Sequence, residues 1–266
     1  MASNADNIHR RYGDGTAEDG RATLKRSAWL ECHYTKQAMS EFIGPDSRVL
    51  EIGCATGHYG LHWADKCKEY VGVDLCPPHI EIFNRRIAEN KLTNVSCHVA
   101  DAVKLDGIGD GSFDVVCCFG PMYHLPPEER ELVFAECRRV CAPGGVAAFA
   151  YTNKIGVYVG ACVDDRFRSM YPSRKATEFI LRRGTADEKP GLFYFSMPED
   201  MEQDAARHGF VKIRNRGMDF FVIEYVVNAM DDEKFALYKE LADEMVKYES
   251  CTGMSNHALL ICRKYE

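Results

Sequence analysis

Apolar positions along the chain follow two rhythms. Arg48 to Ile52, Tyr70 to Asp74, Val95 to Val99, Phe113 to Phe119 and Gly145 to Tyr151 are short apolar runs closed by turn residues, as in strands buried on both faces of a parallel sheet. Between them the spacing predicts helices over His58 to Lys68, over Pro78 to Asn90 behind the Pro77-Pro78 pair, and over Pro127 to Cys141, proline being well suited to a first helical turn. Ahead of the first strand, Leu24, Ala28, Tyr34, Ala38 and Phe42 recur at helical spacing before the Gly44-Pro45 break, so a helix is expected over Arg21 to Phe42. Strands alternating with helices predict an α/β fold with a doubly wound, mostly parallel sheet.

After Tyr151 the rhythm breaks. Asn153 to Gly191 is rich in Arg, Tyr and Phe with little strand character and reads as an inserted lid. Pro198 to His208 is expected to be a core helix stopped by Gly209, Phe210 to Arg216 a strand, Val222 to Tyr248 a helical insertion, and Ser255 to Arg263 the last strand. The expected organisation is one domain. A helical cap spans 1–45, a ligand-binding core 46–152, a lid 153–191, and the remainder of the core with its insertion 192–266.

Composition narrows the function. With 266 residues and 46% apolar content the chain can bury a full core. Its net charge is -7 and it has no long Lys/Arg block, so the basic footprint of a nucleic-acid binder is missing and a small-molecule substrate is favoured. No run approaches the ~20 apolar residues that cross a bilayer, and Met1 to Arg11 lacks the apolar centre of a signal peptide. A soluble cytoplasmic protein without a membrane partner is expected. The 12 cysteines are scattered without C-x-x-C pairs, which reads as reduced thiols and no metal site.

The most informative stretch is Arg48 to His58, a strand ending in E-x-G-x-x-x-G: Glu51, Gly53 and Gly57. The glycines let the backbone turn sharply and approach a ligand. A dinucleotide site would read G-x-G-x-x-G with no acid on the strand before it. A carboxylate there repels a pyrophosphate and suits a ligand with a cationic amino-acid end, which points to S-adenosylmethionine rather than NAD. Asp74 ends the next strand, where a carboxylate grips ribose hydroxyls in folds of this kind, and Asp101 follows the third. Cys118 to Leu125 leaves the carboxyl end of the fourth strand, where open α/β sheets place their ligand crevice.

Taken in order, Glu51/Gly53/Gly57, Asp74, Asp101-Ala102, Asp114 to Phe119 and Pro143-Gly144-Gly145 resemble the motifs of class I S-adenosylmethionine-dependent methyltransferases. The resemblance implies a Rossmann-like seven-stranded sheet whose last strand is antiparallel, and S-adenosylmethionine as cofactor. It implies Glu51 facing the donor's amino group and Gly53, Cys54, Ala55 and Gly57 along its methionine part. Asp74 would hold the ribose and Asp101 the adenine amino group, with Leu75, Ala102 and Phe119 completing the cofactor site. Ala55 departs from the pattern, standing where the family often has glycine, and its methyl is tolerable if the backbone keeps a negative φ. The run Phe119 to Leu125, together with Arg26, Ser27, Leu30, Glu31 and Thr35 near the start and Ser255-Asn256-His257 near the end, resembles a bacterial small-molecule branch similar to the ubiquinone and menaquinone biosynthesis methyltransferases.

Methyl transfer is an in-line displacement, so the protein mainly positions donor and acceptor and, for some acceptors, removes a proton. His124 is the leading base candidate, since a histidine pKa near 6.5 suits that task; the same residue would equally serve by hydrogen-bonding and ordering its loop. Tyr123 is expected beside it at the reacting methyl. Tyr151, Tyr158 and His257 are candidate acceptor contacts, His257 on condition that the final hairpin folds back over the crevice. Tyr12, Arg26 and Tyr34 are further candidate walls. The reading is a methyltransferase acting on a small molecule; the alternatives are an RNA or protein methyltransferase and a catalytically silent S-adenosylmethionine-binding protein.

Overall fold

The computed structural model describes residues 4–13, 15, 18–163, 177–185, 192–220 and 224–265. Seven strands form one sheet: β1 (Arg48–Ile52), β2 (Glu69–Asp74), β3 (Val95–Val99), β4 (Phe113–Cys118), β5 (Cys141–Thr152), β6 (Phe210–Gly217) and β7 (His257–Lys264), in the order β3-β2-β1-β4-β5-β7-β6. The first five pair in parallel, and β7 slots between β5 and β6 antiparallel to both. The predicted doubly wound sheet with an antiparallel last strand is therefore present.

Alternation along the strands divides the core into two layers. Val49, Val115, Cys117, Val146, Ala148, Leu259 and Ile261 face one layer. Leu50, Ile52, Val116, Cys118, Ala147, Phe149, Leu260 and Cys262 face the other. Helices cover both: α1 (Asn4–Tyr12), α2 (Arg21–Leu24), α3 (Arg26–Met39), α4 (His58–Trp63), α5 (Pro77–Glu89), α6 (Pro121–His124), α7 (Pro127–Val140), α8 (Lys154–Val163), α9 (Pro198–Arg207), α10 (Glu224–Asn228) and α11 (Asp232–Met245). Among the described residues no helix is long and apolar enough to cross a membrane.

The differences from expectation have local causes. The helix expected over Arg21 to Phe42 breaks at Lys25, whose backbone is extended, and ends at Met39. The helix α1 is strongly polar, with Ile8 and Tyr12 its large apolar residues, and does not stand out in the sequence as a core-packing helix. α4 stops at Trp63, where the Lys66 N–H turns back to the Trp63 carbonyl. Within the expected lid, α8 is followed by a π-helical turn, Thr177–Arg183; 164–176 and 186–191 lie outside the described residues. The C-terminal helical insertion is two helices, α10 and α11, and its expected start at 222–223 also lies outside the described residues. Arg26 binds the carbonyls of Met230 and Asp231, and the Tyr34 hydroxyl donates to Asp243 at 2.8 Å. Both residues thus fasten α3 to the α11 region and stand off the cavity wall.

Candidate active site

The carboxyl ends of β1, β2 and β4 open on a cavity of about 780 Å³, the place where open α/β sheets bind ligands and a size that suits a small-molecule site. Gly53, Asp74, Ala102 and Phe119 line its floor, Tyr12, Arg21 and Glu31 close it from the N-terminal helices, and Phe193 and His257 bound it from later segments.

The loop after β1 is shaped by what touches it. Gly53 has φ +87, and a Cβ there would sit 2.3 Å from the Phe119 carbonyl oxygen, so a side chain is excluded. Ala55 has φ +44. The condition of a negative φ is therefore not met: Ala55 stands in the left-handed region, where its N–H donates to Asp74 Oδ2 at 2.9 Å. Asp74 Oδ1 accepts the Cys76 N–H at 2.8 Å and lies 3.2 Å from His79 Nδ1. One carboxylate thus clamps the turns after β1 and β2. Leu75, Asp101, Ala102 and Phe119 also line the cavity, with Asp101 Oδ1 accepting the Val103 N–H at 3.1 Å.

Three expected cofactor contacts lie behind this wall. A Cβ on Gly57 would meet the Phe83 ring at 2.1 Å, so this glycine admits helix packing. Cys54 points into the core layer with Phe83 and Tyr70. Glu51 is fully buried and accepts the Tyr70 hydroxyl at 2.5 Å. Burial pushes its carboxyl up to about 8 against the opposing Tyr70 hydrogen bond, so at neutral pH it is mainly uncharged. The expectation of a Glu51 carboxylate facing the cavity is corrected accordingly.

Among the described residues one group brings metal-ligating atom types together, Asp74, Cys76 and His79, within 4.8 Å. Burial pushes the Cys76 thiol up to about 12.

Tyr123, His124 and His257 also line the cavity, with the Tyr12 ring 6.1 Å from His79 and 5.3 Å from His124. His124 Nδ1 lies 2.9 Å from the Leu192 carbonyl oxygen and Nε2 lies 3.1 Å from the Tyr12 hydroxyl. Burial lowers its pKa to about 4. Tyr123 is packed edge-on between the rings of His124 and His257, and burial raises its phenol pKa well above the usual value. The last hairpin does fold back: His257 is on the wall, 2.5 Å from Asp219 and 3.9 Å from Glu31.

Tyr151 and Tyr158 do not line the cavity, which corrects both as acceptor contacts. Alternation along β5 turns Tyr151 into the core layer, where its hydroxyl donates to Asn215 Oδ1 at 2.8 Å; its neighbour Thr152 reaches the wall instead. Tyr158 packs on Ile180 and Phe195, while Gly156 and Val157 take the wall positions of α8.

Residues 49–145 match the model of a methyltransferase domain. This region of the chain is a methyltransferase domain, of the S-adenosylmethionine-dependent type. A ubiquinone biosynthesis O-methyltransferase of Neisseria meningitidis is 24% identical over 180 residues, covering 66% of this chain and 68% of that protein. A 2-heptyl-1-hydroxyquinolin-4(1H)-one methyltransferase of Mycobacteroides abscessus is 33% identical over 96 residues, 36% of this chain and 42% of that one. A solved S-adenosylmethionine-dependent methyltransferase from Mesorhizobium loti superposes with a TM-score of 0.56 at 18% identity, covering 88% of this chain and 98% of its own. The chain spans only 20% to 44% of the length of several curated relatives it matches.

S-adenosylmethionine is the cofactor of this methyltransferase family, and the floor fits it: a carboxylate ends β2, a second acid follows β3, and the Gly53 turn keeps the β1 loop low. Sequence reasoning passed over His79, Arg21, Thr152, Phe193 and Asp219. Asp219 had a legible signal, an acid just beyond the end of β6. The others have none short of the fold itself.

Proposed function

We propose that this chain transfers a methyl group from S-adenosylmethionine to a small-molecule acceptor. The observation that supports it best is one cavity of about 780 Å³ whose lining takes in both the residues at the ends of β2 and β3 and polar groups from the N-terminal helices and β7. A cavity lined from several sides suits a compact acceptor better than a folded RNA or protein, and the net charge of -7 works against a polyanion. Two relatives named above, one for ubiquinone biosynthesis and one for 2-heptyl-1-hydroxyquinolin-4(1H)-one, support the same class.

When bound, S-adenosylmethionine supplies an electrophilic methyl carbon on its sulfonium sulfur. Asp74 would hold the ribose hydroxyls, Asp101 would receive the adenine amino group, and Leu75, Ala102 and Phe119 would flank the ring. Tyr12, His124 and the 192–195 segment keep the closed side in place and exclude water. His124 has both ring nitrogens engaged, so it acts by positioning rather than by taking the acceptor's proton. Helices α1 to α3 and α8 together form the lid over the acceptor. Buried free thiols such as Cys117, Cys118 and Cys137 support a reducing, cytoplasmic setting.

Calorimetric titration with S-adenosylhomocysteine and NAD tests the donor half, and labelled methyl transfer from S-adenosylmethionine into separated metabolite, RNA and protein fractions tests the acceptor. Binding of NAD alone, or label entering only macromolecules, would overturn the proposal.

A further inference from the structure

Two carboxylates from opposite ends of the chain hold one imidazole at the acceptor end of the cavity. His257 Nδ1 lies 2.5 Å from Asp219 Oδ2, and the His257 backbone N–H donates to Asp219 Oδ1 at 2.7 Å. Asp219 is 3% exposed, and the Ser255 hydroxyl stands 2.8 Å from its Oδ1. Glu31 Oε2 lies 3.9 Å from the same imidazole nitrogen. Arg21 bridges Glu31 at 2.9 Å and Glu18 at 3.2 Å. With Nδ1 committed to Asp219, Nε2 is the ring nitrogen left for a ligand, and His257 lines the cavity.

The charge on this ring follows from its neighbours. Burial alone would drive its proton off, but Glu31 and Asp219 outweigh it and raise the pKa to about 9, with Arg21 opposing. Asp219 in turn is held below its usual value, its desolvation overcome by His257 and Ser255. Tyr123, which faces the ring, stays protonated. Asp219 pairs with His257, and Glu31 pairs with Arg21, which it shares with Glu18, so the ring presents a fixed, cationic N–H to whatever occupies the cavity. Such a donor pairs best with an anionic oxygen.

We propose that His257 Nε2–H, held in place by Asp219 and Glu31, anchors an ionisable oxygen of the acceptor, a phenol, enol or carboxyl oxygen that binds as its anion. The proposal rests on the reading of this cavity as a methyl-transfer site. The acceptor's proton goes to solvent before transfer, and His257 keeps its own. The anionic oxygen then forms its bond to the methyl carbon while the carbon–sulfur bond breaks and its electron pair returns to sulfur. The methylated product no longer carries the charge that His257 holds, which favours its release. His257 is thus an acceptor-binding residue, and Asp219 and Glu31 position it.

The test uses 4-nitrophenol, whose anion absorbs in the visible, added to the full chain saturated with S-adenosylhomocysteine at a pH below the dye's own pKa. The bound dye should show its phenolate band. His257→Gln should weaken binding on the order of tenfold to a hundredfold and abolish the band, whereas 4-nitroanisole, which cannot ionise, should bind both proteins alike. Because His257→Gln strands a buried carboxylate, the double variant His257→Gln/Asp219→Asn, with a neutral pair, is measured beside it. Asp219→Asn alone should keep the band at the acid end of this range and lose dye affinity at a lower pH than the wild type does. No phenolate band in the wild type, a band that survives His257→Gln, or equal losses for 4-nitroanisole would overturn the proposal. Failure of S-adenosylhomocysteine to bind the wild type would refute the donor reading instead, and the dye measurements on donor-free protein would still decide the role of His257.

Discussion

The Tyr12 hydroxyl and His124 Nε2 meet at 3.1 Å across 112 residues of chain. Asn4, at the other end of the same helix, donates its side-chain amide to the His124 carbonyl at 2.7 Å, so both ends of α1 are fastened to one residue. The Leu192 carbonyl oxygen accepts from His124 Nδ1, which makes that nitrogen the protonated one and leaves Nε2 to accept from Tyr12. Two segments covering the cavity, α1 and the chain at 192, therefore converge on a single neutral imidazole.

Removing the Tyr12 hydroxyl leaves His124 Nε2 buried without its partner, a loss of about 1–3 kcal/mol. Tyr12→Phe should loosen the closed side, speed the release of S-adenosylhomocysteine by on the order of tenfold, and lower turnover. Stopped-flow displacement and a methyl-transfer assay would measure the two effects. Faster turnover with unchanged release would mean that Tyr12 restrains a base, and His124 would return to the role of proton acceptor.

Asp74 joins two turns by three contacts, so its loss acts on ligand and scaffold together. Asp74→Ala should abolish measurable S-adenosylhomocysteine binding in calorimetry. Asp74→Asn keeps an acceptor for one backbone N–H and should fold normally while binding at least about tenfold more weakly. Wild-type affinity in either variant would remove Asp74 from the donor site.

How much of this was legible beforehand depended on whether the backbone or the side chains carried the information. β3 was read to the residue, and β1 likewise, because a short buried strand closed by turns has one register. The floor residues Gly53, Asp74, Leu75, Asp101, Ala102 and Phe119 were found because strand ends fix where they stand. Glu51 was placed near the donor for its charge, which burial beside Tyr70 suppresses. Tyr151 was chosen for its chemistry, although strand parity alone turns it away from Thr152's side. The elements around Glu31 and His257 were noticed separately as short sequence patterns, and only the antiparallel return of β7 brings them within 3.9 Å. Nothing in the local sequence encodes that meeting.

The loop after β1 stores strain at Ala55 and avoids it at Gly53. A left-handed alanine costs about 1–2 kcal/mol, and glycine there gives back part of the gain as chain entropy. Ala55→Gly should therefore stabilise the protein by up to about 1 kcal/mol. Gly53→Ala should destabilise it by about 1–3 kcal/mol, since the added Cβ collides with the Phe119 carbonyl at a φ that side chains avoid. Chemical denaturation of both variants measures the signs. A destabilised Ala55→Gly would show that the Asp74 clamp, and not backbone strain, governs this turn.

Glu51 makes the stability of the protein depend on pH in a direction unusual for a carboxylate. Its pKa rises from 4.5 in the unfolded chain to about 8 in the fold, first through burial and then through Asp74, against the Tyr70 hydrogen bond. Between these values the folded protein holds a proton that the unfolded chain has lost. The stabilisation is therefore complete below pH 4.5 and disappears as pH rises through 8. Glu51→Gln keeps a carbonyl oxygen for the Tyr70 hydroxyl and removes the proton linkage. Its melting temperature should match the wild type near pH 5 and exceed it by several degrees near pH 9. Parallel melting profiles across that range would mean that Glu51 is ionised in the folded protein, and a charged carboxylate beneath the loop would then regain its place as a partner for the donor's amino group.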